Sequence, residues 1–457
     1  MLEVNGRYDG TSRFMKDQRW NFFPSFSLGW NVARENFWKP LESVVNQFKL
    51  RGSWGELGNQ NTSNLYPFYE ILPVKSNSGN WLVNGGKTNT ADIPSLVSTL
   101  LTWERVRSFN VGFDFGAFSN RLTGSFDYFV RKTVDMVGPA PQLPLVLGIA
   151  PAIVNNADMK SYGFEIELSW RDRIGEVDYG VKFNLADAQQ KVVKYPNTTN
   201  AFSDWYAGKM SGEIWGYTSL GIAKTDEEMK EHLASLPNGG QNQLGNKWGA
   251  GDIMYADING DGKIDGGKGT LADPGDQRII GNSTPRYNFG LVLDASYKGF
   301  DVSIFFQGVG KRDYAPIVGT NGAVFWGAVN NIWQSMAMEE HFDYFRPEGH
   351  PMGANLNGYY PRPDFTSNKN HQVQTRYLQD ASYIRLKNLQ IGYTLPKQWI
   401  NKLHINRCRV YVSGDNLWTG TSLASMFDPE TLAAGDWGSG KTYPLSKVIS
   451  FGLNVNF

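Results

Sequence analysis

The sequence contains a single cysteine, Cys408, and no long apolar run. One cysteine excludes an intramolecular disulfide framework. The longest apolar candidate, residues 143–154, is shorter than the roughly 20 residues that a membrane-spanning helix requires, and it contains Pro144 and Pro151. These absences exclude a helical membrane protein. They leave a transmembrane β-barrel open, because barrel strands carry apolar residues only at alternate positions.

The chain also lacks an excess of charge of either sign. Lys plus Arg and Asp plus Glu both number 44, so the net charge is zero. We therefore expect no nucleic-acid partner, because such a partner requires a basic surface. The five histidines are scattered and show no His-x-x-x-His spacing for zinc. The sequence therefore does not predict an enzyme.

Apolar and polar residues alternate along much of the chain. Phe289, Leu291 and Leu293 lie on one face of a predicted strand, and Asn288 and Asp294 lie on the other. Further examples are residues 22–32, 108–115, 121–130, 164–170, 177–185 and 449–457. About twelve such segments occur, mostly of about 8–12 residues, the length that crosses a bilayer at a strong tilt. Strands of soluble sandwiches are usually shorter. We predict an all-β fold with its polar face toward an aqueous or plugged lumen.

The predicted connections alternate between short and long. The short connections are residues 116–120, 171–176, 298–299 and 396–406, and the long ones are 131–160, 188–286, 310–380 and 417–446. Outer-membrane barrels have short periplasmic turns and long extracellular loops. Every short connection falls on the side of the sheet where the chain ends, so the pattern favours an outer-membrane barrel over a soluble one.

Several motifs follow one another along nearly the whole chain. They are LRGSWGELGNQN (50–61), the segment 101–133, GFEIELSW (163–170), ADINGDGKID (256–265), DQRIIGNSTPRYNFGL (276–291), SYIRLKNLQIGYTLP (382–396), RVYVSGDNLWTGT (409–421), FDPE (427–430) and the aromatic strand that ends at Phe457. Together they resemble the C-terminal barrel half of the SusC/RagA-type TonB-dependent transporters. The resemblance implies that residues 1–457 are the C-terminal part, with about 12 strands, of a large antiparallel transmembrane β-barrel of about 22 strands.

The resemblance also implies a function. Transporters of this family import oligosaccharides, or peptides in some members, through the bacterial outer membrane. They take energy from TonB and act with a SusD-like surface lipoprotein. Residues 1–6 enter a strand pattern at once, without the basic and apolar regions of a signal peptide. We expect the signal peptide, the plug domain and the TonB contact to belong to an N-terminal region outside this sequence.

Residues 257–265 match a calcium-binding loop. Oxygen ligands at alternate positions can wrap one cation, and Gly262 permits the sharp turn that this requires. The predicted ligands are Asp257, Asn259, Asp261, the backbone carbonyl of Lys263, and Asp265.

The twelfth position of this loop departs from the pattern, because it holds Lys268 where a bidentate Glu is usual. In the family that the sequence resembles, an acidic residue shortly before an arginine takes this role. The resemblance therefore implies Asp276, which precedes Gln277 and Arg278. The predicted role of bound Ca²⁺ is to stiffen an extracellular loop. The alternative is a solvated Asx-turn loop without a metal.

Several tryptophans fall in the predicted long loops. Trp81, Trp326 and Trp333 are candidates for substrate binding, because flat aromatic faces stack on sugar rings and loops on a rigid scaffold often carry binding sites. The alternative is that these side chains pack the loops themselves or contact the partner lipoprotein.

A second class of function remains open, that of a soluble, calcium-dependent protein that binds or cleaves carbohydrate. The alternating loop lengths and the terminal Phe457 favour the transporter instead. In the family that the sequence resembles, a terminal aromatic residue is read by the outer-membrane assembly machinery.

Overall fold

The computed structural model describes residues 1–62, 65–94, 96–138, 146, 148–149, 152–316, 323–326, 337–364, 368–400, 404–432 and 442–457. In this part of the chain, twelve long strands join in chain order into one sheet. The strands are β1 (Leu2–Gly10), β2 (Trp20–Asn31), β3 (Val45–Asn59), β4 (Glu104–Ala117), β5 (Leu122–Gly138), β6 (Val154–Ile174), β7 (Val177–Lys194), β8 (Arg286–Tyr297), β9 (Phe300–Lys311), β10 (Tyr383–Thr394), β11 (Arg407–Thr421) and β12 (Val448–Asn456).

The connections carry the remaining regular structure. The helices are α1 (Asp226–Ala234), α2 (Ala323–Trp326) and α3 (Lys397–Ile400), with 3-10 turns at Lys16–Gln18, Val32–Arg34, Asn36–Leu41 and Glu339–Phe342. Short strands pair as Val74–Lys75 with Thr90–Ala91, Leu82–Val83 with Gly86–Lys87, Glu213–Gly216 with Arg278–Asn282, Ser219–Ile222 with Ile253–Tyr255, and Asp313–Tyr314 with Gln379–Asp380. Within the described ranges, no helix is long and apolar enough to cross a membrane.

The strands extend beyond the segments in which apolar and polar residues alternate. The alternation predicted a strand at 164–170, whereas β6 spans 21 residues. It predicted a strand at 177–185, whereas β7 spans 18 residues. A hydrogen-bonded ladder needs only backbone groups, so pairing continues where neither face has to be apolar. The alternation therefore locates the strands but underestimates their length.

Contacts divide the chain into two compact units, of which the first comprises Met1–Asn120, Gly124–Glu165 and Ala188–Met210. The strand register of this unit places apolar side chains in one row across neighbouring strands and polar side chains in the next row. One row is Val4, Phe26, Trp54 and Phe109, and the next is Glu3, Ser27, Ser53 and Asn110. Phe26, Trp54 and Phe109 are between 37% and 47% exposed. The apolar row therefore does not form a buried core.

The second unit comprises Arg121–Thr123, Ile166–Asp187 and Ser211–Phe457 and repeats this arrangement across six strands. An apolar row consists of Tyr179, Ala295, Val302, Ile391, Val412 and Phe451. The adjacent row consists of Gly180, Asp294, Ser303, Gln390, Ser413 and Ser450. Ile391 and Phe451 are exposed. The other four side chains of this row are part-exposed. A continuous row of apolar side chains that reaches the surface is unusual on a protein surrounded by water, and lipid is the solvent that suits it.

The opposite face of the sheet carries ion pairs. In the first unit, Arg51 donates to Asp127 and, over 3.2 Å, to Asp114. In the second unit, Arg409 Nε donates to Asp301 over 2.9 Å. Charges of both signs are thus gathered on the polar face, as the alternation predicts.

The connections confirm the predicted asymmetry. Those at 118–121, 175–176, 298–299 and 395–406 are short, and those at 60–103, 139–153, 195–285, 312–382 and 422–447 are longer. The first two connections, 11–19 and 32–44, depart from this pattern because they are of similar length. The latter is occupied by two 3-10 turns.

Introducing a charge on the apolar face tests whether this face of the sheet meets lipid. Val111 lies on the exposed apolar face of β4, and Asn110 lies on the polar face. We expect V111R to lower the free energy of unfolding in lipid by up to about 2–4 kcal/mol, because the guanidinium must enter hydrocarbon, whereas the matched variant N110R changes it little. Urea titration of the protein in lipid vesicles measures both. Equal effects of the two variants would contradict the assignment.

Candidate functional site in the long loops

A large buried hydrophobic cluster of the second unit, here called the loop core, belongs to the connections and not to the sheet. Its members come from residues 195–285, 312–382 and 422–447. They are Tyr217, Leu236, Ile253, Tyr255, Ile264, Phe325, Trp326, Tyr360, Tyr377, Ala381, Leu423, Phe427 and Leu432. The three long connections thus share an interior of their own, and this interior can position side chains rigidly.

Aromatic rings dominate the loop core. Phe325 contacts Trp326 edge-on, with ring centroids 4.9 Å apart, and Trp326 contacts Tyr377 edge-on at 4.6 Å. Phe325 also stacks on Phe427 at 6.2 Å, which joins the connections 312–382 and 422–447. Offset and edge-to-face contacts are the arrangements that aromatic quadrupoles favour.

A buried charge cluster joins the connections 195–285 and 312–382. Asp252 is fully buried, and its carboxylate accepts hydrogen bonds from Lys369 Nζ at 2.9 Å and Asn370 Nδ2 at 2.9 Å. Arg362 binds the same carboxylate through Nε at 2.8 Å and Nη2 at 2.6 Å. Removing one partner from such a cluster leaves a buried charge uncompensated, at a cost of about 3–5 kcal/mol. Asp252 therefore holds the two connections together.

Beside the loop core lies a cavity of about 230 Å³, here called the aromatic cavity. It is lined by Trp326, Ala337, Met338, His341, Phe342, Tyr344, Tyr360, Pro361, Arg362, Pro363 and His371. The rings of Trp326 and His371 stack with centroids 4.3 Å apart. Burial lowers the pKa of His371 to about 4, so this imidazole is neutral at physiological pH.

Two buried polar atoms of residues that line the aromatic cavity lack a hydrogen-bond partner in the described structure. They are the indole nitrogen of Trp326 and Nδ1 of His371. The two side chains are only 3% and 2% exposed. Most buried polar groups in native proteins are paired, so two unpaired atoms on stacked rings require an explanation.

The predicted calcium loop folds as a tight turn. Asp257 accepts hydrogen bonds from the amides of Gly260, at 2.7 Å, and Gly262, at 2.9 Å. Asn259 accepts one from the amide of Asp261 at 3.0 Å. Both glycines have positive φ, of 75° and 78°, which the sharp turn requires. The bond between Asn259 and the amide of Asp261 spans two residues, as in an Asx-turn, and the two bonds to Asp257 hold the backbone of the turn around that carboxylate.

Asp276 joins this turn from outside the motif. It is fully buried, and its carboxylate accepts the amides of Ile258 and Asp265, each at 2.8 Å. Burial, followed by the charge of Asp257, raises the pKa of Asp276 above its ordinary value. The structure therefore brings together the loop and the acidic residue that the family pattern implied.

A lysine also takes part in the turn. Lys263 Nζ lies 2.5 Å from Asp265 and 3.7 Å from Asp261. This contact lowers the pKa of Asp265. Among the described residues, no three Asp, Glu, His or Cys side chains are gathered closely enough to hold a metal ion. Further hard oxygen donors are available from the Asn259 amide and the Lys263 carbonyl.

Residues 1–417 match the family model described as TonB dependent receptor-like, beta-barrel. The chain belongs to this family. It is 30% identical to TonB-dependent receptor P3 of Formosa agariphila, over 100% of this chain and 44% of the relative. It is 24% identical to TonB-dependent receptor SusC of Bacteroides thetaiotaomicron, over 99% of this chain and 41% of the relative.

Solved structures agree on the fold of this TonB-dependent receptor. The structure of the RagAB peptide transporter matches 100% of the chain with a TM-score of 0.73 and 22% identity, over 46% of its own chain. The RagAB peptide importer in its 'open-open' state matches with a TM-score of 0.71 and 21% identity, again over 100% of this chain and 45% of its own. The chain spans less than half the length of these relatives.

These matches confirm the predicted SusC/RagA resemblance and the all-β fold, part of a TonB-dependent receptor barrel in the outer membrane. The family consists of receptors and transporters, not enzymes. The exposed apolar rows of the sheet count against the alternative of a soluble carbohydrate-binding β-protein.

The three candidate tryptophans differ in position. Trp326 is buried in the loop core and lines the aromatic cavity, so it both packs the loops and borders a potential site. Trp81 belongs to the first unit and is 59% exposed. Trp333 lies outside the described residues. His371 was not among the predicted site residues, although the aromatic and proline-rich run 359–363 marks the same region.

Proposed function

We propose that this TonB-dependent receptor takes part in the import of oligosaccharides or peptides through the outer membrane. The sheet carries the proposal, because its apolar rows suit lipid and its polar rows suit an aqueous or plugged lumen. The long connections add a rigid loop core with a cavity, which is a suitable place to bind a nutrient. The relative RagAB is named a peptide transporter, which supports transport as the shared activity.

We propose two partners, TonB and a SusD-like surface lipoprotein. TonB would supply the energy for import. The connection 60–103 supports the lipoprotein contact, because it exposes Trp81, Leu82, Ile93 and Leu100 to solvent. Exposed apolar side chains grouped on a loop are typical of protein–protein contact sites.

Uptake by cells tests the transport proposal. Bacteria that carry the receptor are given fluorescent neutral oligosaccharides or fluorescent peptides. The intracellular accumulation of each probe is compared between the wild type and strains that lack the receptor, TonB or the lipoprotein. We expect accumulation of at least one substrate class to fall to background without the receptor or TonB, and to fall without the lipoprotein. Accumulation that persists without TonB would indicate a passive pore and contradict the proposal.

We also propose that the turn at 257–265 binds Ca²⁺. The ligands would be Asp257, Asn259, Asp261, the Lys263 carbonyl, Asp265 and Asp276. The donor set supports this, because it consists of hard oxygens from carboxylates, an amide and a carbonyl. Asp276 fits the role of the missing twelfth ligand, because its buried carboxylate already bridges the amides of Ile258 and Asp265. Bound calcium would stiffen the connection 195–285.

Calcium titration tests this site. At free Ca²⁺ of 100 times the dissociation constant, binding adds about 2.7 kcal/mol to the stability of the structure that holds the ion. We therefore expect Ca²⁺ to slow proteolysis of the connection 195–285 relative to EDTA, and we expect D257N and D276N to abolish the difference. D273N, in the same connection but outside the donor set, serves as the matched control. Equal proteolysis of the wild type in Ca²⁺ and in EDTA would contradict the proposal.

A further inference from the structure

The aromatic cavity is small, and aromatic rings form much of its lining. Its volume of about 230 Å³ lies below the range of about 300–1,000 Å³ that is typical of pockets for drug-sized ligands. Trp326, Phe342, Tyr344 and Tyr360 contribute aromatic side chains to the lining. A cavity of this size and lining suits one ring of a larger molecule, with the rest of that molecule outside.

The two unpaired atoms indicate which hydrogen-bonding groups the ring of a bound ligand must carry. The indole nitrogen of Trp326 can only donate a hydrogen bond. Nδ1 of the neutral His371 accepts one when the proton is on the other ring nitrogen. A hydroxyl group both donates and accepts, so the hydroxyls of a bound ring have the chemistry to pair with both atoms.

The charges at the cavity favour a neutral ligand. Arg362 is the charged residue in the described lining, and its guanidinium already binds Asp252 through two nitrogens. An anionic ligand would have to compete with this buried carboxylate. A neutral, hydroxylated ring does not compete with Asp252 for the guanidinium of Arg362.

We infer that the aromatic cavity binds a single neutral pyranose unit of an oligosaccharide. The C–H faces of a pyranose contact the aromatic side chains, and its hydroxyls reach Trp326 and His371. This inference rests on the proposed function, and it selects glycan over peptide as the substrate class. A peptide fits less well, because its backbone needs partners for successive N–H and C=O groups. Pro361 and Pro363 in the lining have no N–H to donate.

Calorimetry on the receptor purified from native outer membranes tests the inference. The probes are hexasaccharides of glucose, galactose and mannose, and a tyrosine-containing hexapeptide as the competing class. W326F keeps a ring but removes the indole N–H, and we expect it to bind the preferred glycan about tenfold more weakly. M338W adds bulk to the lining and should abolish binding. W399F, at an exposed position of α3 in the short connection 395–406, is the matched control and should bind like the wild type.

Folding of each variant is checked by heat-modifiable migration on a gel. If W326F fails to fold, glycan binding by M338W and Y344A tests the inference instead. Tyr344 is suitable because it lies in the lining and outside the buried residues of the loop core. Glycan binding that is unchanged in the folded cavity variants would overturn the inference. So would binding of the peptide alone, or no binding of any hexasaccharide at millimolar concentration.

The assay separates this inference from the proposed function, because calorimetry requires no TonB. Cavity-dependent glycan binding in a protein that supports no TonB-dependent uptake would refute the transport proposal and leave the cavity assignment intact. Glycan uptake together with glycan binding that W326F and M338W leave unchanged would refute the cavity assignment and leave the transport proposal intact.

Discussion

The hydrogen-bonded ladder of the twelve strands is the constraint on which the other features depend. In lipid, each backbone N–H and C=O must find a partner within the protein, and a closed arrangement of long strands provides such partners. Side chains of a strand alternate between its two faces, so one face can be apolar and the other polar. The rows that contain Trp54 and Ser53 show this separation in neighbouring positions of one strand.

A sheet that turns its apolar face outward cannot also use it as a core. The long connections therefore bury their own apolar side chains, and the loop core is the result. Ion pairs fix this core to the strands. Arg385 on β10 binds Asp428 at 2.7 Å and Glu430 at 3.0 Å, and Lys387 on the same strand binds Glu430 at 2.8 Å. The FDPE motif thus ties the connection 422–447 to the sheet.

Local patterns in the sequence predicted the features that depend on local spacing. Alternation identified the strands, since the two faces of each strand meet different solvents. It missed the extension of β6 back to Val154, because backbone pairing there needs no apolar face. The turn at 257–265 was visible because glycines and acidic residues recur at fixed spacing.

Features that depend on distant packing were not predictable in this way. Asp252 meets Lys369 across 117 positions of the chain, and no local spacing encodes that contact. His371 acquires its low pKa and its stacking partner Trp326 only when the connection 312–382 folds. The aromatic cavity was therefore indicated by Trp326 alone. Asp276 was found through the family pattern, because a buried carboxylate outside the loop has no local signal.

The central claim is that one face of the sheet meets lipid and the other meets water. Single cysteines introduced at each of residues 108–115 of β4 in a C408S background, spin-labelled and reconstituted in bilayers, test it most directly. Accessibility to oxygen, which concentrates in lipid, and to a water-soluble nickel complex is then measured at each position. We predict an alternation of period two, with oxygen access at 109, 111, 113 and 115 and nickel access at 108, 110, 112 and 114. Equal access of the nickel complex to both sets would contradict the account.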